Sequence, residues 1–301
     1  SLRHVYGIGA GELFWAISDI GWAVGHSYIV YAPLLAGATA LLYEGKPVGT
    51  PDAGIYWRIA AKHGVAAMFT APTAIRAIKR EDPEGKLVPK SGLEKLRTLF
   101  LAGERVDPDT VEWSRRILGV PVIDHWWQTE TGWPIAANCM GIEPLPVKLG
   151  SPTQAVPGWD VRVLDDDGRE QPPDVSGHIA IRLPLPPGCL PTLWNDPDGF
   201  RRAYFERFPG FYQTGDGGHL DAGRGHRSRG GPPSPVRCGD TKRVVRLGGA
   251  PMSGHLSERT RWAVVVAFAI AMAWVEAASV YYIRALVDRI LAAEVASNAA
   301  R

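Results

Sequence analysis

Cysteine is scarce. Cys139, Cys189 and Cys238 are the only three in 301 residues, and no two of them lie at a metal-ligand or disulfide spacing. That excludes a zinc-finger or disulfide-stapled scaffold and points to a reducing, cytoplasmic compartment. An excess of charge of either sign is also missing: the net charge of +2 removes any electrostatic ground for a nucleic-acid partner. No methionine or signal peptide stands before Ser1-Leu2-Arg3-His4, so the chain reads as an internal fragment. What is present is globular material, 46% hydrophobic and 21% charged, enough for a sizeable core.

The densest stretch is Asp124-His125-Trp126-Trp127-Gln128-Thr129-Glu130-Thr131-Gly132, directly after the apolar run Val120-Pro121-Val122-Ile123. Adjacent tryptophans want burial and a glutamate wants a partner, so such a loop is costly as mere connection. Flat-ring stacking beside a phosphate or metal site is the chemistry it suggests. Around it, strand and helix patterns alternate. Residues 38–43, 65–69, 96–101 and 120–123 read as short buried strands. Helix patterns run from Tyr28 to Leu35, from Ala53 to His63, from Pro72 to about Arg80, and from Pro108 to Leu118. Asp107-Pro108 supplies an N-cap followed by a first-turn proline, and Gly64 and Gly119 supply stops.

Alternation with short links predicts an α/β fold with a parallel sheet covered by helices. Ligands of such sheets sit outside the carboxyl ends of the strands. The polar clusters Thr70 to Thr73, Gly103 to Arg105 and Asp124 to Thr131 all follow strands, so they are expected to converge in one crevice.

After Gly150 the texture changes. Val161 to Leu164, the turn Asp165-Asp166-Asp167-Gly168, and His178 to Arg182 predict a small antiparallel, barrel-like β unit closed by an acidic turn at Tyr212-Gln213-Thr214-Gly215-Asp216. Residues 1–149 are thus read as an α/β part and 150–221 as a β subdomain. Residues 222–255 form a Gly/Pro/Arg-rich linker expected to be disordered. Residues 256–301 carry an apolar stretch, Trp262 to Ile283, long enough at about 22 residues to cross a bilayer and interrupted only by Glu276. Membrane contact through 262–283 is one expectation and an amphipathic or core helix is the competing one.

Taken together, Ser18-Asp19-Ile20-Gly21-Trp22, Gly25-His26-Ser27-Tyr28, Thr70-Ala71-Pro72-Thr73-Ala74-Ile75-Arg76, Ala102-Gly103-Glu104, Asp124 to Gly132 and Thr214-Gly215-Asp216 resemble the AMP-forming acyl-CoA synthetases, in their acetyl-/propionyl-CoA synthetase branch. The resemblance covers residues 1 to about 221. It implies activation of a small carboxylate by ATP to an acyl-adenylate, with release of pyrophosphate, then acyl transfer to coenzyme A. It also implies ATP/AMP, Mg²⁺ and coenzyme A as the molecules handled. By the same resemblance Gly103, Glu104 and Arg105 line the adenine, Arg105 standing where a proline is usual. Asp124, His125, Trp126, Trp127, Gln128 and Thr129 wrap the nucleotide. Thr129 reaches the α-phosphate, Glu130 faces Mg²⁺, and Asp216 accepts from the ribose hydroxyls. Ala23, Val24, Ala102 and Trp127 form the acyl pocket. Acetate-specific relatives carry Val-Thr at Ala23-Val24 and Val at Ala102, so a slightly wider pocket and a preference for propionate follow.

The family's phosphate loop and its lysine-bearing C-terminal domain are not recognisable here. The chain alone is therefore expected to be inactive, with residues 222–301 derived from a frameshift or gene junction. The alternative is a non-catalytic nucleotide-binding remnant fused to a membrane segment. Each motif also has a bland reading. The tryptophans could be core aromatics, Glu130 a solvated acid, Asp216 and Gly103 turn formers, His26 a satisfied structural histidine, and Cys139 and Cys189 inert.

Overall fold

A computed structural model describes residues 1–222 and a short strand at 236–238. The rest of the Gly/Pro/Arg-rich linker, and the apolar segment 256–301 with its 262–283 stretch, lie outside the described residues. No helix among the described residues is long and apolar enough to cross a membrane.

The elements follow in order. Strand β1 (Leu13–Ala16) leads through a loop to a π-helical segment (Gly25–Tyr31) continuous with α1 (Ala32–Leu35). Next come β2 (Thr39–Ala40), α2 (Ile55–His63), β3 (Ala67–Thr70), α3 (Pro72–Glu81), β4 (Thr98–Leu101), α4 (Pro108–Leu118) and β5 (Val122–Asp124). These five strands form one parallel sheet in the order β2-β1-β3-β4-β5. The second sheet is antiparallel and contains β6 (Val161–Leu164), β7 (Gly177–Arg182), β8 (Phe211–Leu220) and β9 (Val236–Cys238) in that order, with α5 (Pro197–Tyr204) between β7 and β8.

The helices end where local chemistry says they should. Asp107 accepts a hydrogen bond from the Thr110 amide at 2.8 Å, and the left-handed Gly119 closes α4. Alternation along the parallel strands divides the core in two. Trp15, Met68, Leu99 and Val122 face α2, α3 and α4, where they meet Trp57, Ile75, Ile78 and Trp113. Phe14, Phe69, Phe100 and Ile123 face the other way and share a core with Tyr28 and with Val163, Ile179, Ile181 and Tyr212 of the antiparallel sheet. Burying each such large side chain contributes on the order of 2–3 kcal/mol.

Three expectations are corrected, and one strand is added. Strand β1 was not anticipated: its apolar run, Leu13 to Ile17, follows the breaker-rich Gly9-Ala10-Gly11. The strand expected over 38–43 shrinks to Thr39–Ala40, with Leu42 71% exposed, so those residues are not a buried run. The β unit is not barrel-like: among the described residues β6 and β9 do not pair, and the sheet stays open. The acidic turn at Tyr212 to Asp216 is instead part of strand β8, irregular in register opposite His178 to Ala180. Gly215, at φ +79, supplies the backbone freedom that this bulge requires.

Candidate functional site

The parallel strands end level with one another. Thr70 is the register partner of Leu101, and Leu101 of Asp124, so the loops after β3, β4 and β5 leave the sheet side by side. The chain after β1 joins them: the Ile17 amide donates to the Phe69 carbonyl at 2.7 Å, and the Thr70 hydroxyl donates to the Ile17 carbonyl at 3.3 Å. With neighbouring strands about 4.8 Å apart, the Ser18, Thr70, Ala102 and His125 segments all start from one edge. The three polar clusters therefore do converge, and the Ser18 to Trp22 loop makes a fourth.

Contacts between these loops are specific. The Thr73 amide, at the start of α3, donates to the Glu104 carboxylate at 2.8 Å, and Arg76 closes the same carboxylate at 2.7 Å. Glu104 thus ties the β4 loop to α3. Gly103 beside it has φ +100, and a side chain there would meet nothing within 4 Å. The glycine answers a backbone demand, and the space over it is open.

The loop after β5 is built from within. The Thr131 hydroxyl accepts from the Gln128 amide at 3.1 Å and donates to the Gln128 carbonyl at 2.9 Å, and Thr131 is fully buried. His125 lies beneath the loop, 2% exposed. Its Nδ1 bonds the Leu101 carbonyl at 2.8 Å and its Nε2 the Tyr6 hydroxyl at 3.0 Å. Burial lowers its pKa to about 4, so the ring is neutral, donating from Nδ1 and accepting at Nε2. Both nitrogens are used by the protein, which makes His125 a support for the loop. Asp124, at the end of β5, has its pKa raised by burial to about 7, with the Arg105 guanidinium pulling the other way.

Asp216 reaches this loop from the other sheet. Its Oδ2 accepts from Trp126 Nε1 at 3.1 Å and from Gln128 Nε2 at 2.9 Å. Gln128 Nε2 also donates to the Thr214 carbonyl at 2.7 Å, and the Tyr212 hydroxyl donates to Gln128 Oε1 at 3.0 Å. Burial raises the Asp216 pKa, while its Trp126 and Gln128 donors oppose the shift. Among the described residues its Oδ1 accepts no hydrogen bond. A carboxylate held on one oxygen and free on the other is suited to receive two hydroxyl donors.

Thr129 is exposed at the loop tip. Glu130 is held at two points: its carbonyl accepts from the Leu190 amide at 2.7 Å and its Oε1 from the Tyr204 hydroxyl at 3.1 Å. Burial, and secondarily the Glu130 charge, push the Tyr204 hydroxyl up to about 12. On the apolar side, Trp127 meets Tyr28 edge-on at 5.6 Å and lies 6.2 Å from Phe69. Ala102 is buried in the same cluster, and Val24 packs against it. Ala23 is partly buried just before the π-helical segment. His26 is exposed, with its ring 6.2 Å from that of Tyr31.

Tyr204 and Tyr212 were not anticipated as parts of the site, and Thr131 was expected only as part of the Asp124 to Thr131 cluster, with no role of its own. The signal for α5 was available in Asn195-Asp196-Pro197, which repeats the cap-and-proline pattern of Asp107-Pro108, and Asp196 indeed accepts from the Gly199 amide at 2.8 Å. Nothing local in sequence pairs Tyr204 with Glu130 or Tyr212 with Gln128.

Residues 2–186 match the family described as AMP-binding enzyme. The chain is 55% identical over 221 residues to an uncharacterised protein of Pseudomonas aeruginosa, covering 73% of this chain and 35% of that one. It is 53% identical over 225 residues to the human mitochondrial acyl-CoA synthetase short-chain family member 3, covering 73% and 32%. It is 45% identical over 224 residues to the propionate–CoA ligase of Escherichia coli, covering 74% and 35%. The chain thus spans about a third of the length of the curated relatives it matches. It belongs to the AMP-binding enzyme family, with short-chain acyl-CoA synthetases among its relatives.

Proposed function

We propose that these residues form the nucleotide and acyl-binding part of an ATP-dependent short-chain acyl-CoA ligase. In the first half-reaction a carboxylate oxygen of the substrate attacks the α-phosphorus of ATP and pyrophosphate leaves. In the second, the sulfur of coenzyme A attacks the acyl carbonyl and AMP leaves. The observation that carries this reading is Asp216, drawn by Trp126 and Gln128 to the strand-end loops with one carboxylate oxygen that no described residue bonds, available to a ribose diol.

Gly103 leaves room for the adenine, with Glu104 fixing its loop and Arg105 and Asp124 at its margin. Trp126, Gln128 and Thr129 border the sugar and α-phosphate, and His125 supports them from below. For Mg²⁺, Glu130 fits: it is a hard oxygen donor whose Oε2 has no protein partner among the described residues. A bound Mg²⁺ would offset charge on the phosphates. Trp127, Val24, Ala102 and Ala23 bound the acyl group. With alanines at 23 and 102 this space suits propionate over acetate, and the name of the Escherichia coli relative accords with that.

The test is pyrophosphate exchange into ATP, measured on the full-length protein with acetate, propionate and butyrate. Propionate-dependent exchange is expected; exchange that no short carboxylate stimulates would refute the reading.

A further inference from the structure

Glu130 is the one acidic side chain of the Trp-Trp loop itself, and its carboxylate is aimed by a residue far away in sequence. Tyr204 ends α5, and its hydroxyl donates to Glu130 Oε1 at 3.1 Å. The Tyr204 ring is fixed in turn: it stacks on Tyr212 at 5.4 Å with 10° between the planes, and Phe200 packs at 5.5 Å on it. Tyr212 itself bonds Gln128. The two stacked tyrosines therefore grip the loop at alternate residues, Gln128 through one hydroxyl and Glu130 through the other. With the Leu190 amide on the Glu130 carbonyl, the glutamate is held at backbone and side chain, and among the described residues Oε2 has no hydrogen-bond partner.

We infer that Tyr204 is a positioning residue for the metal·nucleotide complex: it holds Glu130 so that the free carboxylate oxygen meets the cation, and so sets affinity for MgATP without contributing to affinity for metal-free AMP. This rests on the ligase reading. The physical basis is general: a carboxylate that must place one oxygen on a metal gains when its other oxygen is pinned, and losing such an outer partner typically costs 10–100-fold in metal affinity. A phenol on a stacked ring serves well, because the stack removes the rotamer freedom that a lone hydroxyl would have to lose.

The test uses Tyr204→Phe, which keeps the ring and its stack and deletes only the donor. Binding of MgATP and of metal-free AMP to the full chain is followed by calorimetry. MgATP is expected to bind about tenfold more weakly in Tyr204→Phe, at the lower end of that range, with AMP binding unchanged. Phe205→Leu serves as the structural control, since Phe205 packs on Tyr212 at 5.9 Å and on Phe200 at 5.2 Å but bonds nothing in the loop with its side chain. It should leave the ratio of the two affinities at the wild-type value. Wild-type MgATP affinity retained in Tyr204→Phe overturns the inference and spares the ligase reading. An equal loss in Phe205→Leu, or an equal loss for AMP, reduces Tyr204 to packing and also overturns it. A wild-type protein that binds neither ligand takes the ligase reading down with it.

Discussion

Replacing Asp216 by asparagine separates the two tasks of its carboxylate. Oδ2 takes the Trp126 and Gln128 donors at 3.1 and 2.9 Å, so in Asp216→Asn the amide oxygen is expected to turn to that side. The NH₂ then occupies the ligand side and presents donors where a ribose needs acceptors. The protein-facing bonds survive as neutral ones, at a stability cost of about 1 kcal/mol. Loss of a hydrogen bond to a charged acceptor costs about 1.5–3 kcal/mol, and each 1.4 kcal/mol is about tenfold. AMP should therefore bind roughly 10- to 100-fold more weakly to Asp216→Asn. The assay is calorimetry with AMP and its 2′-deoxy and 3′-deoxy forms, beside a thermal melt. Wild type should discriminate against at least one deoxy form, and the variant should discriminate much less. Asp216→Ala, which removes the acceptor of Trp126 Nε1 and one of the two acceptors of Gln128 Nε2, should also lower the melting temperature. If Asp216→Asn binds AMP as wild type does, or if wild type ignores both deoxy changes, Asp216 does not hold the ribose.

Three other expectations can be measured directly. The Asp124 pKa is raised to about 7 from an ordinary value near 4, so the folded state binds more protons than the unfolded one between those values. The resulting stabilisation is present at low pH and lost as pH rises through 7; Asp124→Asn should gain on wild type by a few kcal/mol at most over that window, and parallel denaturant curves from pH 5 to 8 would contradict this. At Ala102, 5% exposed, valine adds two carbons to the acyl side. At about 0.8 kcal/mol per buried methylene, Ala102→Val should shift the propionate-to-acetate ratio of kcat/KM several-fold towards acetate, and an unchanged ratio would remove Ala102 from the pocket. A methyl group on Gly25 would lie 2.4 Å from the Asp19 carbonyl and 2.5 Å from the Ile20 Cα, both backbone. Gly25→Ala should cost about 1–3 kcal/mol in denaturant melts and raise KM for the carboxylate, because the Asp19 loop must move; wild-type stability would refute that packing.

Several elements were readable locally because their causes are local. Asp107-Pro108 and Gly119 bound α4, Gly64 ends α2, and the apolar runs of β3, β4 and β5 need only their own composition to be recognised. Strand β1 was not anticipated although its run Leu13 to Ile17 is apolar throughout; it follows the breakers Gly9 and Gly11, and pairing with β3 and β2 on either side defines it as a strand. The bulge in β8 was missed for a related reason. Tyr212-Gln213-Thr214-Gly215-Asp216 has the composition of a turn, and only pairing with β7 draws it out as a strand.

For the site the division is similar. Chain order and residue type alone determined that polar loops follow successive parallel strands and must lie along one edge, because a parallel sheet leaves them no other place. Tertiary structure decided which groups in those loops are spent on hydrogen bonds within the protein. It committed both nitrogens of His125 and the Glu104 carboxylate to holding the loops, and among the described residues it left one oxygen each on Asp216 and Glu130 without a hydrogen bond. Those outcomes depend on partners such as Tyr6, Tyr204 and Tyr212, tens of residues away in sequence, and a hydrogen bond between such groups exists only once packing has brought them within 3 Å or so.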